Sequence, residues 1–550
     1  MAGGPSPTVR FRYGRSERRA AAGTNLAAAL TEGTPPVLQR SVRYHRPRAP
    51  FCGTGACTGC LVRVNGVPNV RACRYEPKEG DRVRSENAWP SVRLDLLTLL
   101  DRAFPGGIDS VRGFRRPAFA RPIYHWVVRR LAAFGSLPDA PPPGPPPEGV
   151  RRETDLLIVG AGAAGRAAAE EAVARGLRPL VVDRSDGAPP PGTDALFRTT
   201  AIFLPGARTD RPRPFDLVAA ADDGRAVRVA ARRVIVATGA YDAGLWLADG
   251  DRPGVLTAEG AEALEGPARR PPFERALLFG GGPRVAGLLE RWEGRVDAVV
   301  APGPIDPEVV RTASEHDVPL YPRSLLLRVQ GRRRVRAVEI RTRGRGPRTL
   351  VEADALVLAH RRLPNVQLLF QAGAAMRWTA RPGAYLPIRS GPATTVPGLF
   401  VAGPPAGVGA PALSGASGRE AAERAVTDAP PADPATPGEA EPPGEFEGYY
   451  AELASEGFRG GRWTACPCED VGVQDLIDAG ERGYRGLEVV KRYTGVGTGL
   501  CQGRYCLPEA VLLLAHTEHR TPAEVGYITQ RPPVFSARLD ALAALPPEEP

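Results

Sequence analysis

Between Cys73 and Cys466 the sequence contains no cysteine. That gap excludes a redox-active disulfide from the long central stretch of the chain. Eight cysteines in 550 residues are also too sparse for a disulfide framework. Lysine is nearly missing: Lys78 and Lys491 are the only two among 72 basic residues, so the formal charge of +11 is carried by arginine. Those arginines are scattered, with no basic stripe interleaved with aromatics, which argues against a nucleic-acid partner. A basic balance still suits anionic partners such as nucleotides or an acidic protein. No apolar run approaches the roughly 20 residues of a membrane span, and "MAGGPSPTVRFRYGR" has no apolar core for a signal peptide. The expected compartment is the cytoplasm, with no integral membrane segment. The six histidines are dispersed and no Ser–His–Asp constellation stands out, so the catalytic residues stay unknown.

What the sequence does hold is cysteine in two tight groups. "CGTGACTGC" places Cys52, Cys57 and Cys60 within one loop, and Cys73 follows. Thiolates suit both zinc and iron–sulfur centres. The C-x4-C-x2-C spacing is that of plant-type [2Fe–2S] loops, whereas zinc ribbons pair two C-x2-C knuckles. Glycines at 53, 55 and 59 let such a loop curl with its N–H groups inward. The second group is Cys466, Cys468, Cys501 and Cys506; "CPCEDV" and "VVKRYTGVGTGLCQGRYC" resemble the bacterioferritin-associated-ferredoxin type of [2Fe–2S] domain. Zinc remains an alternative at both. Two four-thiolate sites would consume every cysteine in the chain.

Glycine marks the nucleotide sites. "TDLLIVGAGAAGRAAAEEAVARGLRPLVVDRSD" has Gly160, Gly162 and Gly165 between a strand and a helix, with Asp183 ending the next strand. Glycines allow pyrophosphate to approach the helix N-terminus, and the acid accepts hydrogen bonds from a ribose. "VIVATGAYD", with Thr238 and Gly239, and "TTVPGLFVAGPPAG", with Gly403, resemble the later FAD-contacting strands of two-dinucleotide flavoproteins, so FAD is expected here. The plain alternative is an alanine-rich helix packed through glycines. A second turn, "LLFGGGPRVAGLLE", keeps Gly280 and Gly282 but has Val285 in place of the third glycine, and the strand after it ends without an acid. NAD, another nucleotide, or a degenerate structural domain are the readings there.

The order of elements predicts an α/β protein of several domains. Residues 1–100 read as a β-grasp ferredoxin-like [2Fe–2S] domain, opening on a hairpin that turns at Tyr13-Gly14-Arg15. Residues 101–150 read as a helical connector and proline linker. A two-dinucleotide-binding flavoprotein core follows: a first FAD-binding segment at 151–268, a degenerate NAD-like domain at 269–354, and a second FAD-binding segment at 355–428. A linker at 429–448 leads to a small helical bacterioferritin-associated-ferredoxin-like [2Fe–2S] domain and tail at 449–550.

"SVRYHRPRAPFCGTGACTGCLVRVNG", "RRLPNVQLLFQAGA", "CPCEDV" and "TPAEVGYITQRPP" resemble the α subunit of heterotetrameric sarcosine oxidase, the hydrogen cyanide synthase A and B subunits and the opine oxidase A subunit, over about residues 8 to 545. The resemblance implies an FAD-dependent oxidoreductase subunit that relays electrons from an amino acid or secondary amine of the glycine, sarcosine, proline or opine type. Substrate oxidation would fall to a D-amino-acid-oxidase-like flavoprotein partner in a hetero-oligomer, and a small-molecule acceptor or carrier would take the electrons onward. A stand-alone NAD(P)H-dependent reductase and a cluster-based redox sensor are the alternatives. Two departures stand out. The sarcosine oxidase subunit continues into a folate-binding domain after the "RPP" segment, while this sequence stops at Pro550, so no folate chemistry is expected. Pro404 stands where related flavoproteins place an acid.

Overall fold

The computed structural model describes residues 8–31, 36–99, 122, 137–140, 147–208, 210–266, 270–344, 346–427 and 444–546. The expected connector (101–150) and linker (429–448) lie mostly outside the described residues; a helix, Glu445–Ser455, already begins at the end of the latter. The chain divides into two compact units: Met1–Pro142, Asp242–Arg361 and Glu445–Thr521 form the first, and Pro143–Tyr241, Arg362–Gly444 and Pro522–Pro550 the second.

In the first unit, the N-terminal region is a five-stranded sheet in the order Ser16–Ala21, Thr8–Tyr13, Arg82–Ser85, Leu61–Val64, Val67–Arg71. Only the pair Thr8–Tyr13 and Arg82–Ser85 runs parallel. The turn Asn65-Gly66 has positive φ at both residues, the geometry that joins two strands most tightly. A short helix, Leu26–Ala29, is capped by the Asn25 side chain accepting from the Ala28 N–H at 2.9 Å.

The middle segment of the same unit is an all-parallel sheet in the order Val255–Thr257, Ala355–Leu358, Ala276–Phe279, Val296–Val300, Leu320–Tyr321. Its strands are continuous apolar runs because helices such as Ala258–Leu264 and Arg284–Arg291 pack against them. The two sheets share one core, in which Leu26, Val62 and Val83 meet Leu264, Leu278 and Trp292. The boundaries expected at 268 and 354 therefore shift. Val255–Thr257 pairs with Ala355–Leu358 inside this sheet, so the segment belonging here runs from Asp242 to Arg361.

The second unit is built on a nine-stranded sheet whose parallel centre runs Asp194–Leu196, Leu180–Val182, Val150–Val159, Ala226–Val236, Leu399–Val401. Helices Ala163–Ala174 and Pro411–Val426 pack on one face through alanines, among them Ala164, Ala168, Ala421 and Ala425. At Gly418 a Cβ would collide with the Ala164 carbonyl, so the small residues set how closely the helices approach. The tail from Pro522 groups with this unit rather than with the cysteine-bearing segment before it. Among the described residues, no helix is long and apolar enough to cross a membrane.

Candidate cofactor sites

The first thiol set is built by the loop Cys52–Cys60, which enters the strand Leu61–Val64, and by the turn Ala72–Arg74. All four cysteines are buried. Gly53 and Gly55 take φ of 64° and 75°, and a Cβ at Gly59 would collide with the Ala49 carbonyl, so the curl depends on glycine. It turns N–H groups onto sulfur: Cys57 donates to Cys52 Sγ and Gly59 to Cys57 Sγ, each at 3.4 Å. The thiols touch in a row, Cys57 to Cys52, Cys52 to Cys73, Cys73 to Cys60.

The second set sits in the same unit, on the hairpin Thr464–Cys466 and Val471–Gly472 and on the loop before helix Leu507–Thr517. Its thiols also form a row, Cys506 to Cys466 to Cys468 to Cys501, with Cys468 and Cys501 sulfurs 3.6 Å apart. Among the described residues, no group of three or more His, Cys, Asp or Glu side chains converges where a single ion would sit. Rows of paired thiols match a binuclear cluster, which takes two thiolates per iron, better than one tetrahedral zinc.

Cys57 of the first set and Cys466, Cys468, Cys501 and Cys506 of the second line one cavity of about 80 Å³, walled by Phe51, Trp246 and Tyr505. Asp470, buried in the second loop, anchors the two together. It accepts from the N–H groups of Arg43 (2.8 Å) and Tyr44 (3.2 Å) and from the Arg48 guanidinium at 2.5 Å. Arg48 also grips Asp251 at 2.7 Å. Such desolvated pairs hold only while complete, and losing one partner costs about 3–5 kcal/mol.

In the second unit the first glycine turn has the shape of a phosphate cradle. A Cβ at Gly160 would strike the Ala237 carbonyl, and one at Gly165 would strike the Gly160 carbonyl, so both are close-packing positions. Gly162 differs: nothing lies within 4 Å of where its Cβ would be, leaving open space at the N-terminus of helix Ala163–Ala174. Asp183 follows the strand Leu180–Val182, and its carboxylate accepts from the Ala161 N–H at 2.6 Å and the Ser185 N–H at 2.7 Å. Thr238 is turned aside, its hydroxyl donating to the Asn365 carbonyl at 2.6 Å, while Gly239 accepts from the Asn365 N–H. Gly403, at φ 66°, donates to the Ser417 hydroxyl at 3.0 Å. Asn365 lies in the quoted stretch "RRLPNVQLLFQAGA", though no pattern marks it for this contact, and Ser417 carries no motif.

The second turn is open at Gly282, where nothing lies within 4 Å of a Cβ, but is packed on either side. Gly280 packs against the Ala359 carbonyl, and Val285 is fully buried. In doubly wound sheets a nucleotide lies across the carboxyl ends of the strands. Here helix Glu445–Ser455 takes that place. Phe446 sits 5.0 Å from the His360 ring, Tyr449 lies 6.0 Å from Phe279, and the Glu445 carboxylate fills the space above Gly303. Arg284, next after the glycines and Pro283, is occupied by Asp242 and by Glu262 at 2.9 Å.

Residues 6–88 match the family described as 2Fe-2S iron-sulfur cluster binding domain, and residues 463–545 the sarcosine oxidase A3 domain. The alpha subunit of sarcosine oxidase from Rhizobium meliloti (strain 1021) is 28% identical over 561 residues, covering 93% of this chain. The chain spans 55% of that relative's length. The A subunit of opine oxidase from Agrobacterium tumefaciens (strain Ach5) is 27% identical over 470 residues, covering 71% of this chain and 92% of its own. The crystal structure of L-proline dehydrogenase from P. horikoshii shares the fold, with a TM-score of 0.64 at 18% identity over 98% of both chains. A match to a 2Fe-2S cluster binding domain at the N-terminus, an α/β core with the fold of that dehydrogenase structure and a C-terminal A3 segment follow one another in this order, and the chain is similar over most of its length to the sarcosine oxidase alpha and opine oxidase A subunits.

Proposed function

We propose that the chain is the FAD- and iron–sulfur-bearing electron-transfer subunit of an amino-acid or secondary-amine dehydrogenase or oxidase complex. The observation that carries this reading is the gathering of all eight buried cysteines into two four-thiol groups, with Cys57 of the first and all four of the second lining one cavity. Cys52, Cys57, Cys60 and Cys73 would hold one [2Fe–2S] centre, and Cys466, Cys468, Cys501 and Cys506 a second. Gly160, Gly162, Gly165 and Asp183 would hold FAD, with Gly239 and Gly403 shaping the neighbouring turns. A bound flavin exchanges electrons in pairs and a [2Fe–2S] centre exchanges them singly, so the set converts one mode into the other.

The chain's own residues bind, orient and exclude water. The helix N-terminus at Gly162 would receive the phosphate of FAD, and Asp183, held by the Ala161 N–H, would receive its ribose. Phe51, Trp246 and Tyr505 line the thiol cavity with apolar surface. The relatives are named as the alpha or A subunits of oxidases, which supports placing substrate oxidation on a D-amino-acid-oxidase-like partner. The aromatic contacts of Phe446 with His360 and of Tyr449 with Phe279, at the carboxyl ends of the parallel strands, speak against NAD at the second turn and against a stand-alone NAD(P)H reductase.

The test is metal and flavin analysis of anaerobically purified protein. About four iron, four sulfide and one FAD per chain are expected from two [2Fe–2S] centres. Two zinc with no sulfide would overturn the relay.

A further inference from the structure

We propose that an arginine-rich groove, formed by the N-terminal sheet, the loop 88–99 and the hairpin tip 331–334, docks an acidic electron-carrier protein. The inference rests on the electron-transfer reading above and adds the partner that takes electrons onward, a protein rather than a small molecule.

The groove lies within the first unit and has a volume of about 1330 Å³. That exceeds the roughly 300–1,000 Å³ of a small-molecule pocket and suits a protruding stretch of protein. Nine arginines line it against one carboxylate, Asp95. Asp95 is spent inward: it accepts from His45 Nδ1 at 2.9 Å and from the N–H groups of Trp89 and Leu97 at 3.0 and 3.3 Å. Arg93, Arg332 and Arg333 are exposed, and no carboxylate among the described residues pairs with them. A concave wall of one sign focuses its field and speeds the approach of opposite charge. The chain's own next segment, residues 101–136, carries seven arginines against two acids, so its charge does not complement the groove.

The same groove presents apolar anchors. Leu94, Leu96 and Leu99 line it at 63%, 46% and 61% exposure, and Trp89, at 57%, stands beside it between Ala88 and Pro90. Four large apolar residues within eleven make a patch rather than a scatter. The loop is held in shape, since the Leu96 N–H donates to the Trp89 carbonyl at 2.8 Å and the Leu94 N–H to Ser91 Oγ at 3.2 Å. The hairpin tip is pinned too, by Arg252 donating to the Gly331 and Arg332 carbonyls. Arginine around a few apolar side chains is the composition of a protein interface. Its place suits a carrier. Pro47 lines the groove, while the next residues, Arg48 and Ala49, line the thiol cavity. Pro253 and Arg252 divide in the same way, so at both points a single step of chain parts the two spaces. Passing an electron there makes and breaks no bond: the chain loses one electron and the carrier gains one.

The experiment is surface plasmon resonance of the full chain with three small acidic carriers: a plant-type ferredoxin, a two-cluster bacterial ferredoxin and a flavodoxin. Basic cytochrome c is the control, and iron, sulfide and flavin are measured on every sample. At least one acidic carrier should bind, cytochrome c should not, and binding should weaken as salt is raised. Arg93→Glu, Arg332→Glu and Arg333→Glu together should slow association about 10-fold or more. Leu94→Ser with Leu99→Ser should speed dissociation about 10-fold. Both variants should keep the wild-type iron and flavin content. Iron-loaded protein that binds none of the three carriers, or binds them equally well in both variants, would overturn the docking site and leave the relay standing. Phosphatidylglycerol vesicles or polyphosphate bound in place of the carriers, and lost in the same variants, would overturn it as well. Zinc in place of iron would overturn both readings.

Discussion

The backbone N–H of Ala161 donates to the Asp183 carboxylate at 2.6 Å, tying the tip of the glycine turn to the end of the neighbouring strand. The same acid is thus asked to shape the turn and to meet a ribose. Asp183→Ala should lower FAD affinity about 10- to 100-fold, the equivalent of one lost charge-assisted hydrogen bond. Asp183→Asn, which still accepts from Ala161, should fall between. Flavin retained after gel filtration, read by absorbance, checks this; full retention in Asp183→Ala would contradict it.

The three glycines of that turn should not behave alike. Gly165→Ala forces a Cβ into the Gly160 carbonyl and should cost about 1–3 kcal/mol or more of stability. Gly162→Ala meets nothing in the protein, so it should fold normally yet lose flavin. Thermal unfolding and bound flavin, measured on both variants, separate packing from binding.

With Phe446 against His360 and Tyr449 against Phe279 at the strand ends, NADH and NADPH at millimolar concentration should reduce neither flavin nor iron–sulfur chromophore. Anaerobic stopped-flow bleaching by either nucleotide would restore the reductase alternative.

His360 gives a pH test. Burial first, and the neighbouring Arg361 charge second, hold its pKa well below the ordinary imidazole value of 6.5. Arg361 is itself paired with Glu509 at 2.5 Å, and the aromatic neighbours Phe279 and Phe446 offer no counter-charge. The unfolded chain therefore takes a proton below pH 6.5 that the folded chain refuses. Stability should fall as pH drops below that value, by up to about 1.4 kcal/mol per pH unit from this residue. Denaturant titrations at pH 7.5 and 5.5 on wild type and His360→Leu check this, the variant showing the shallower dependence.

Spacing alone exposes the cysteine rows, because thiolates around a cluster must be close in sequence or locked into rigid turns. The strand–glycine–helix–acid frame is equally plain, since each of its residues answers a local demand of the backbone. What joins the sites is not visible in this way. Asp470 reads as one more acid after two cysteines, and takes its role from Arg43, Tyr44 and Arg48, more than 400 residues away in sequence. Glu445–Ser455 reads as the end of a linker, because its aromatic face has meaning only against the sheet it covers. Strand Val255–Thr257 is three residues long, too short for a period to assign its sheet, and its pairing moves the domain boundaries.

Arg48 and Asp470 are 422 residues apart in sequence, yet they close the same wall. During synthesis the first cysteine loop emerges well before its lid and waits, uncovered, while the ribosome makes everything between them. Iron delivered in that interval would meet a loop open to oxygen and water. Maturation of the first centre is in this way tied to synthesis of the second loop, and a fragment carrying Cys52 to Cys73 alone would expose its sulfurs on the side that the second loop normally shields.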